Sequence, residues 1–356
     1  MNLLFRDTSG PNLAPDGSVV CVGAFDGVHL GHRALLARVH ERAAQLGLAP
    51  LAISFEPIPR GFFARGAPVP RLTGAREKVG LLTACGARLL LLRFDAKLAA
   101  LSAEAFIEEV LIERANAREV WIGEDFRFGH ARRGDAALLR TLGEQRGFSV
   151  AVMPGIEIAG ERVSSSTIRA HLAAGEFDAA ARLLGRRFTI GGHVVRGRQI
   201  GRELGYPTAN IRLGRRVAPV GGIFAVRVHG LDQAHRTRGP APDAGSRGQG
   251  CLARPWTAEL SNDRRGEAEP KRVWPGVASL GLRPTIGGTE PLLETHVFGF
   301  DGDLYGRPIE IEFVQKLRDE EKFDDLHAMT RQIDRDAEQA RAILGIADQK
   351  LSGVNV

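Results

Sequence analysis

The sequence predicts two folds in succession, an α/β layer built on a parallel sheet and then an antiparallel β-barrel closed by a terminal helix. Three observations carry that expectation. Up to about residue 185, near-continuous apolar runs alternate with helical segments, as strands buried on both faces require. Beyond residue 187 the texture changes to short alternating strands broken by glycine turns. The chain has 356 residues, 44% hydrophobic and 25% charged, which is too long for one core when domains hold ~100 to 200 residues. Domains are therefore placed at 1–186 and 187–348.

Ser18 to Gly23 (SVVCVG) reads as the first strand, the polar FDGVHLGH as a loop, and Arg33 to Leu46 as a helix by its apolar spacing. The alternation continues with Leu51 to Phe55 as strand, Arg76 to Ala84 as helix and Ala87 to Phe94 as strand. It closes with helices at Ala103 to Arg114, Gly134 to Arg146 and Ser166 to Leu184, and strands at Glu119 to Gly123 and in VAVMP. FTIGGHVV, GGIFAVRVHG, GVASLGLRP, LETHVFGF and IEIEFVQ are the predicted barrel strands. Phe323, Leu326, Met329, Ile333, Ala337 and Ala340 keep helical spacing across Glu320 to Leu344. Residues 231–272 hold three Leu, one Trp and no Ile, Val or Phe, so they are read as a disordered insertion between two barrel strands.

Lysine and arginine total 48 against 42 acidic residues, a net +6 that by itself could suit nucleic acid or phosphorylated small molecules. Its location favours the second. Eight arginines face one glutamate between residues 187 and 230, around a glycine-rich loop, and the barrel strands lack aromatics interleaved with cations. Cys21, Cys85 and Cys251 form no CxxC pair, which argues against a disulfide framework or a thiolate metal site. No apolar run approaches the ~18 residues of a membrane span, and the first residues do not read as a secretory signal. A cytoplasmic protein without membrane or nucleic-acid partner is expected, and no sequence signal supports a homo-oligomer.

Three stretches carry chemistry. Gly23, Phe25, Asp26, Gly27, His29, Gly31 and His32 lie where the first strand hands over to the first helix, so small residues, helix N–H groups and two imidazoles can converge on a phosphate. Val163-Ser164-Ser165-Ser166-Thr167-Ile168-Arg169 offers hydroxyls and a cation at another helix start; read alone, the serines equally suit an N-cap. In the second half, Gly197, Arg198, Gly201, Arg202 and Gly205 form a cationic glycine-rich loop, followed by Thr208 and Asn210 with oxygens suited to Mg²⁺. It is not a Walker loop, because G-K-[ST] is missing.

The Gly23 to His32 stretch resembles the HxGH signature of the nucleotidyltransferase superfamily, whose Rossmann-like members attack the α-phosphate of ATP directly. Gly123-Glu124-Asp125-Phe126-Arg127-Phe128-Gly129, with Arg132 and Gly134-Asp135, is similar to a block of the prokaryotic bifunctional riboflavin kinase/FAD synthetase family, as are Phe55-Glu56-Pro57, Arg71-Leu72-Thr73 and Glu77-Lys78. Gly197 to Asn210 resembles that family's kinase signature; Gly281 to Thr285, Glu294-Thr295-His296, Leu304-Tyr305-Gly306 and Leu317-Arg318 resemble its later blocks. Two positions depart from the pattern: Ile58 stands where the family commonly has His, and Gly299 where it often has Asp. The resemblance implies phosphorylation of riboflavin to FMN by the barrel and adenylylation of FMN to FAD by the α/β domain, with Mg²⁺, ATP and flavins as cofactor and substrates. It implies His29 and His32 as transition-state donors, Ser165, Ser166 and Arg169 on phosphates, and Glu294 as the kinase base. Phe55, Pro57, Asp125, Phe126, Phe128, Arg132 and Arg318 would contact flavin, and Thr208 and Asn210 would place the metal. Two rivals stand beside this reading, a chain with one working module and a basic nucleic-acid-binding barrel.

Overall fold

The computed structural model describes residues 4–8, 10–65, 68–197, 201, 205–214, 216–231, 272–282 and 291–346. The central forty residues of the predicted insertion, 232–271, lie outside the described residues, as do Arg198, Arg202 and the Arg283-Pro284-Thr285 block. Two compact units emerge. Among the described residues one comprises the chain to Arg169 with Arg182–Gly185, and the other Ala170–Ala181 with the residues from Arg186 onward.

The first unit is built on six strands, β1 (Leu4–Phe5), β2 (Ser18–Val22), β3 (Ala49–Glu56), β4 (Arg88–Arg93), β5 (Ala117–Gly123) and β6 (Ser149–Met153), all paired in parallel in the order β1-β4-β3-β2-β5-β6. Every residue of β2 is buried, which explains its unbroken apolar run. Val19 and Cys21 pack on one face with Leu35, Leu36, Val39 and Ala43 of α1 (Leu30–Leu46). Val20 and Val22 face the other way, against Phe106, Ile107 and Val110. From β2 the chain builds outward in one direction through β3 and β4, then returns to add β5 and β6 on the other side. Ligands bind open parallel sheets at such a switch point, outside the carboxyl ends of the strands. Here those ends are Gly23, which follows β2, and Gly123, which ends β5.

The remaining helices are α2 (Pro59–Phe62), α3 (Ala75–Ala84), α4 (Ala96–Ala100), α5 (Ala103–Phe106), which passes into π-type turns over Ile107–Arg114, and α6 (Ala136–Arg146). A two-stranded hairpin, β7 (Glu157–Ile158) and β8 (Glu161–Arg162), precedes α7 (Ser165–Ala174) and α8 (Phe177–Leu184). The single helix expected from Ser166 to Leu184 is thus two, because Gly175 adopts φ +80° and ends the first.

The second unit is a closed antiparallel barrel in the order β10-β13-β12-β11-β14-β9. Its strands are β9 (Thr189–Val195), β10 (Thr208–Arg212), β11 (Gly222–His229), β12 (Trp274–Leu282), β13 (Pro291–Val297) and β14 (Pro308–Arg318). Phe177, Phe188, Phe224 and Phe313 cluster inside it, with Phe224 and Phe313 in edge contact at 5.1 Å between centroids. The terminal helix, α9 (Leu326–Leu344), starts six residues later than its periodicity predicts. β14 runs on to Arg318, and Asp325 caps the helix by accepting from the N–H of Ala328 at 2.7 Å. Ala337 and Ala340 of α9 pack against Ala225, Val277 and Phe298.

Candidate active sites

The loop after β2 is shaped by backbone that only its surroundings permit. Phe25 and Val28 hold φ of +48° and +41°, costly for side chains of that size and sustained by burying both. Gly27, at φ +87°, could bear no Cβ without meeting Leu72 at 2.8 Å, and its N–H donates to Thr73 Oγ1 at 3.0 Å. A Cβ at Gly31 would come within 3.2 Å of the His29 ring.

His29 is the N-cap of α1. Its Nδ1 accepts from the backbone N–H of His32 at 3.3 Å, which leaves Nε2 as the proton-bearing nitrogen of the neutral ring. The two imidazoles stack, with centroids 3.6 Å apart and planes 18° from parallel, and Phe25 meets His32 edge-on. His32 Nδ1 is enclosed and has no partner. Burial, then His29, then the Lys78 ammonium hold the His32 imidazole well below the usual histidine range, so it is neutral near pH 7. A neutral ring with an unpaired nitrogen can become a hydrogen-bond donor to an arriving phosphate oxygen.

Asp26 faces inward rather than toward that space. Its carboxylate accepts from the N–H groups of Leu72 and Thr73 and from the Thr73 hydroxyl, and pairs with Arg71 and Arg169. Burial alone would raise its pKa, but the two guanidiniums and the N–H donors outweigh burial and keep it ionised below the usual range. Arg169 also donates to Pro70 O at 2.7 Å, and Ser165 Oγ donates to Asp26 O at 2.9 Å. The start of α7 is thereby tied to the histidine loop, while Ser164 accepts from the N–H of Thr167 and Ser166 is exposed.

One cavity opens at this loop and a second adjoins it, the two sharing Phe126. One, of about 380 Å³, brings together Gly23, Phe25, His29, Gly31, His32 and Ser165. Asp125, expected among the flavin contacts, lines this same cavity and pairs with Arg162 at 2.6 Å. The sequence reading had not singled out Arg162, which sits in a hairpin without a motif. The other cavity, of about 1040 Å³, is walled by Phe55, Phe106, Phe126 and Phe128 together with Phe62 and Phe94, and Arg132 stands at its rim. Its size and aromatic lining suit a planar ring system. Pro57 is exposed and lies outside both linings, and Ile58 is buried in the apolar interior.

In the second unit Thr208 and Asn210, which follow the glycine-rich loop, lie on strand β10. Ala209 and Ile211 turn into the barrel, leaving Thr208 and Asn210 on the outer face. Antiparallel register sets Asn210 directly opposite Glu294 and Thr208 opposite His296 on β13, so the four share that face. The Asn210 amide donates to Thr208 O at 3.2 Å, and its Oδ1 is buried without a partner. A Cβ at Gly197 would approach that amide within 2.6 Å, and one at Gly201 would strike Tyr206 O. Gly205, at φ +81°, turns the chain into β10. Arg318 is directed elsewhere: its guanidinium grips Asp336 of α9 at 2.7 to 3.1 Å and lies 5.8 Å from the Phe323 ring centroid.

Paired histidines at a parallel-sheet switch point, and oxygen donors set by register on a separate barrel, define a two-module transferase acting on nucleotide phosphates. Residues 12–167 match the FAD synthetase family model and residues 184–344 the riboflavin kinase model. The bifunctional riboflavin kinase/FMN adenylyltransferase of Pseudomonas fluorescens is 39% identical over 93% of this chain and 95% of its own length. The protein of the same name from Escherichia coli K12 is 36% identical over 96% and 98%. This chain belongs to the bifunctional riboflavin kinase/FMN adenylyltransferase family. A solved structure described as a macrolide-efflux protein from Streptococcus pneumoniae also resembles it, with TM-score 0.70 and 26% identity over 95% of this chain and 99% of that one. Among the described residues here, no helix is long and apolar enough to cross a membrane.

Proposed function

We propose that the chain makes FAD from riboflavin in two ATP-dependent steps, residues 187–348 acting as riboflavin kinase and residues 1–186 as FMN adenylyltransferase, in the cytoplasm. In the first step the terminal ribityl hydroxyl attacks the γ-phosphorus of ATP, the hydroxyl proton passes to Glu294, and ADP leaves. Asn210 would hold a hard cation: its Oδ1 is buried and unpaired, with the Thr208 hydroxyl nearby and the Glu294 residue opposite in register. No cluster of three His, Cys, Asp or Glu side chains occurs among the described residues, so this ion would be Mg²⁺ held largely by phosphate and water. When bound it would neutralise phosphate charge.

In the second step an FMN phosphate oxygen attacks the α-phosphorus of a second ATP. The bond to the bridging oxygen breaks and pyrophosphate leaves with its electron pair. His29 and His32 donate to the α-phosphate oxygens, where charge grows, and need no reorganisation to do so. Ser165, Ser166 and the N-terminus of α7 face the polyphosphate, while Arg169 and Asp26 hold those elements together. The aromatic cavity takes the flavin ring. The observation that carries this reading is the stacked His29–His32 pair, with an unpartnered buried nitrogen, at a cavity that shares Phe126 with the aromatic one. The purified protein, incubated with riboflavin, ATP and Mg²⁺ and resolved by chromatography, is expected to yield FMN and then FAD. Formation of neither would overturn the assignment, and formation of one alone would establish the single-module rival.

A further inference from the structure

We propose that Lys78 is a positioning residue for adenylyl transfer, tying the loop that carries the nucleotide to the strand end that begins the flavin wall. The inference rests on the reading of His29 and His32 given above. Lys78, on α3, is fully buried, and its ammonium reaches three acceptors: Phe55 O at 2.6 Å, Glu56 Oε2 at 3.0 Å and Ala24 O at 3.4 Å. Three acceptors match the three N–H donors of an ammonium, where a neutral amine has only two. Ala24 lies in the histidine loop, one residue after Gly23, and Phe55 lines the aromatic cavity.

A second connection closes the circuit. Glu56 accepts Arg71 through both oxygens, at 2.9 and 3.1 Å, and Arg71 reaches Asp26, two residues beyond Ala24. The end of β3 is therefore fastened to the histidine loop through Lys78 on one side and through Glu56, Arg71 and Asp26 on the other. Lys78, Arg71 and Arg169 pair with Asp26 and Glu56, three cations to two carboxylates, next to the site proposed for polyphosphate. His29 and Lys78 are the titratable groups acting on His32, so the same ammonium also helps keep that ring neutral.

Positioning of two substrates for in-line attack predicts a defect in kcat rather than in binding. Lys78→Met is expected to lower kcat for FMN adenylylation by ~10²-fold, the cost of a roughly 1 Å misplacement, while KM for ATP and FMN stays nearly unchanged. FMN formation on the barrel of the same molecule stays at the parent rate, and the unchanged KM for ATP and FMN reports an intact α/β unit. Lys78→Arg keeps the charge, but a planar guanidinium cannot reproduce three converging bonds, so kcat falls here too. Imidazole proton shifts separate the two effects: His32 titrates at higher pH in Lys78→Met and as in the parent in Lys78→Arg. Should Lys78→Met fail to fold, Lys78→Met combined with Glu56→Gln leaves no lone carboxylate at this pair, keeps an amide oxygen to accept from Arg71, and is expected to show at least the same kcat deficit. Parent-like kcat in Lys78→Met or in the double variant overturns the proposal, as does a matching rise in KM. His32→Ala, run alongside, tests the underlying site separately, since full FAD synthesis in that variant would refute the histidine reading whatever Lys78 does.

Discussion

The two sites are held in place by different physics. Around the histidine loop the scaffold is buried charge: Asp26, Glu56, Arg71, Lys78 and Arg169 fasten segments as much as 143 residues apart. On the barrel the scaffold is register: Asn210 meets Glu294 and Thr208 meets His296 because antiparallel pairing puts them opposite one another. Buried ion pairs are intolerant of losing one partner, since the survivor is left charged in a poor solvent. A ladder spreads the same duty over many backbone bonds, so a change in one side chain there alters chemistry before architecture. The histidine module is thus expected to respond to distant substitutions and the barrel chiefly to substitutions at the reacting face.

The largest effect expected falls on the barrel. Glu294→Gln keeps the shape of a strand residue and removes the proposed proton acceptor, so FMN formation from riboflavin should fall by ~10²- to 10⁴-fold. FAD formation from supplied FMN should be unchanged, because the strand pairing is untouched. Loss of both activities would show that the two scaffolds are not independent. His32→Ala is the converse test on the first module, with an expected ~10²- to 10³-fold loss of FAD formation and normal FMN formation. Single-turnover assays with each flavin separately give both numbers.

How legible these scaffolds were in the sequence follows from the same contrast. Alternating apolar runs revealed the parallel sheet, because strands covered on both faces have no polar positions, as in β2. His29 and His32 were visible because a loop and a helix start bring neighbours in sequence together. The charge network was not, since nothing local in Asp26 announces Arg169, and the blocks that hold Arg71 and Lys78 do not show which carboxylates those cations meet. Arg318 shows the same gap: its partner Asp336 is recognisable only once α9 is folded onto the barrel. Thr208-Ala209-Asn210-Ile211 does alternate with the period of a strand, but the run is short and follows directly on a glycine- and arginine-rich loop, so it is missing from the expected barrel strands. Resemblance to a family supplied the proposed role of Glu294, which composition and spacing alone leave as an unremarkable strand residue.

Acid should expose the charge-built module. The folded His32 ring resists protonation, whereas in the unfolded chain it takes a proton below its ordinary value of 6.5. The unfolded state then binds more protons, so stability is lost as pH falls through about 6.5 and continues to fall until the folded ring also titrates. In urea unfolding between pH 7 and pH 5, His32→Asn should lose less stability than the parent protein. An equal loss in both would place the acid sensitivity elsewhere in the module.

The smallest effect sharpens the distinction between residues that react and residues that hold. Asp135 ends the same motif that contributes Phe126 and Phe128 to the aromatic cavity, yet its carboxylate accepts from the N–H of Leu138 at 2.9 Å and caps α6. Position in a motif and part in the chemistry are therefore separable here. Asp135→Ala should cost about 1 kcal/mol in stability by urea unfolding, the usual worth of an N-cap, and leave kcat for FAD formation at the parent level. Asp135→Ser, which can still cap, should recover most of that stability. A fall in kcat that Ser does not restore would mean that the carboxylate acts on substrate, and the boundary between scaffold and site in this module would have to be redrawn to include it.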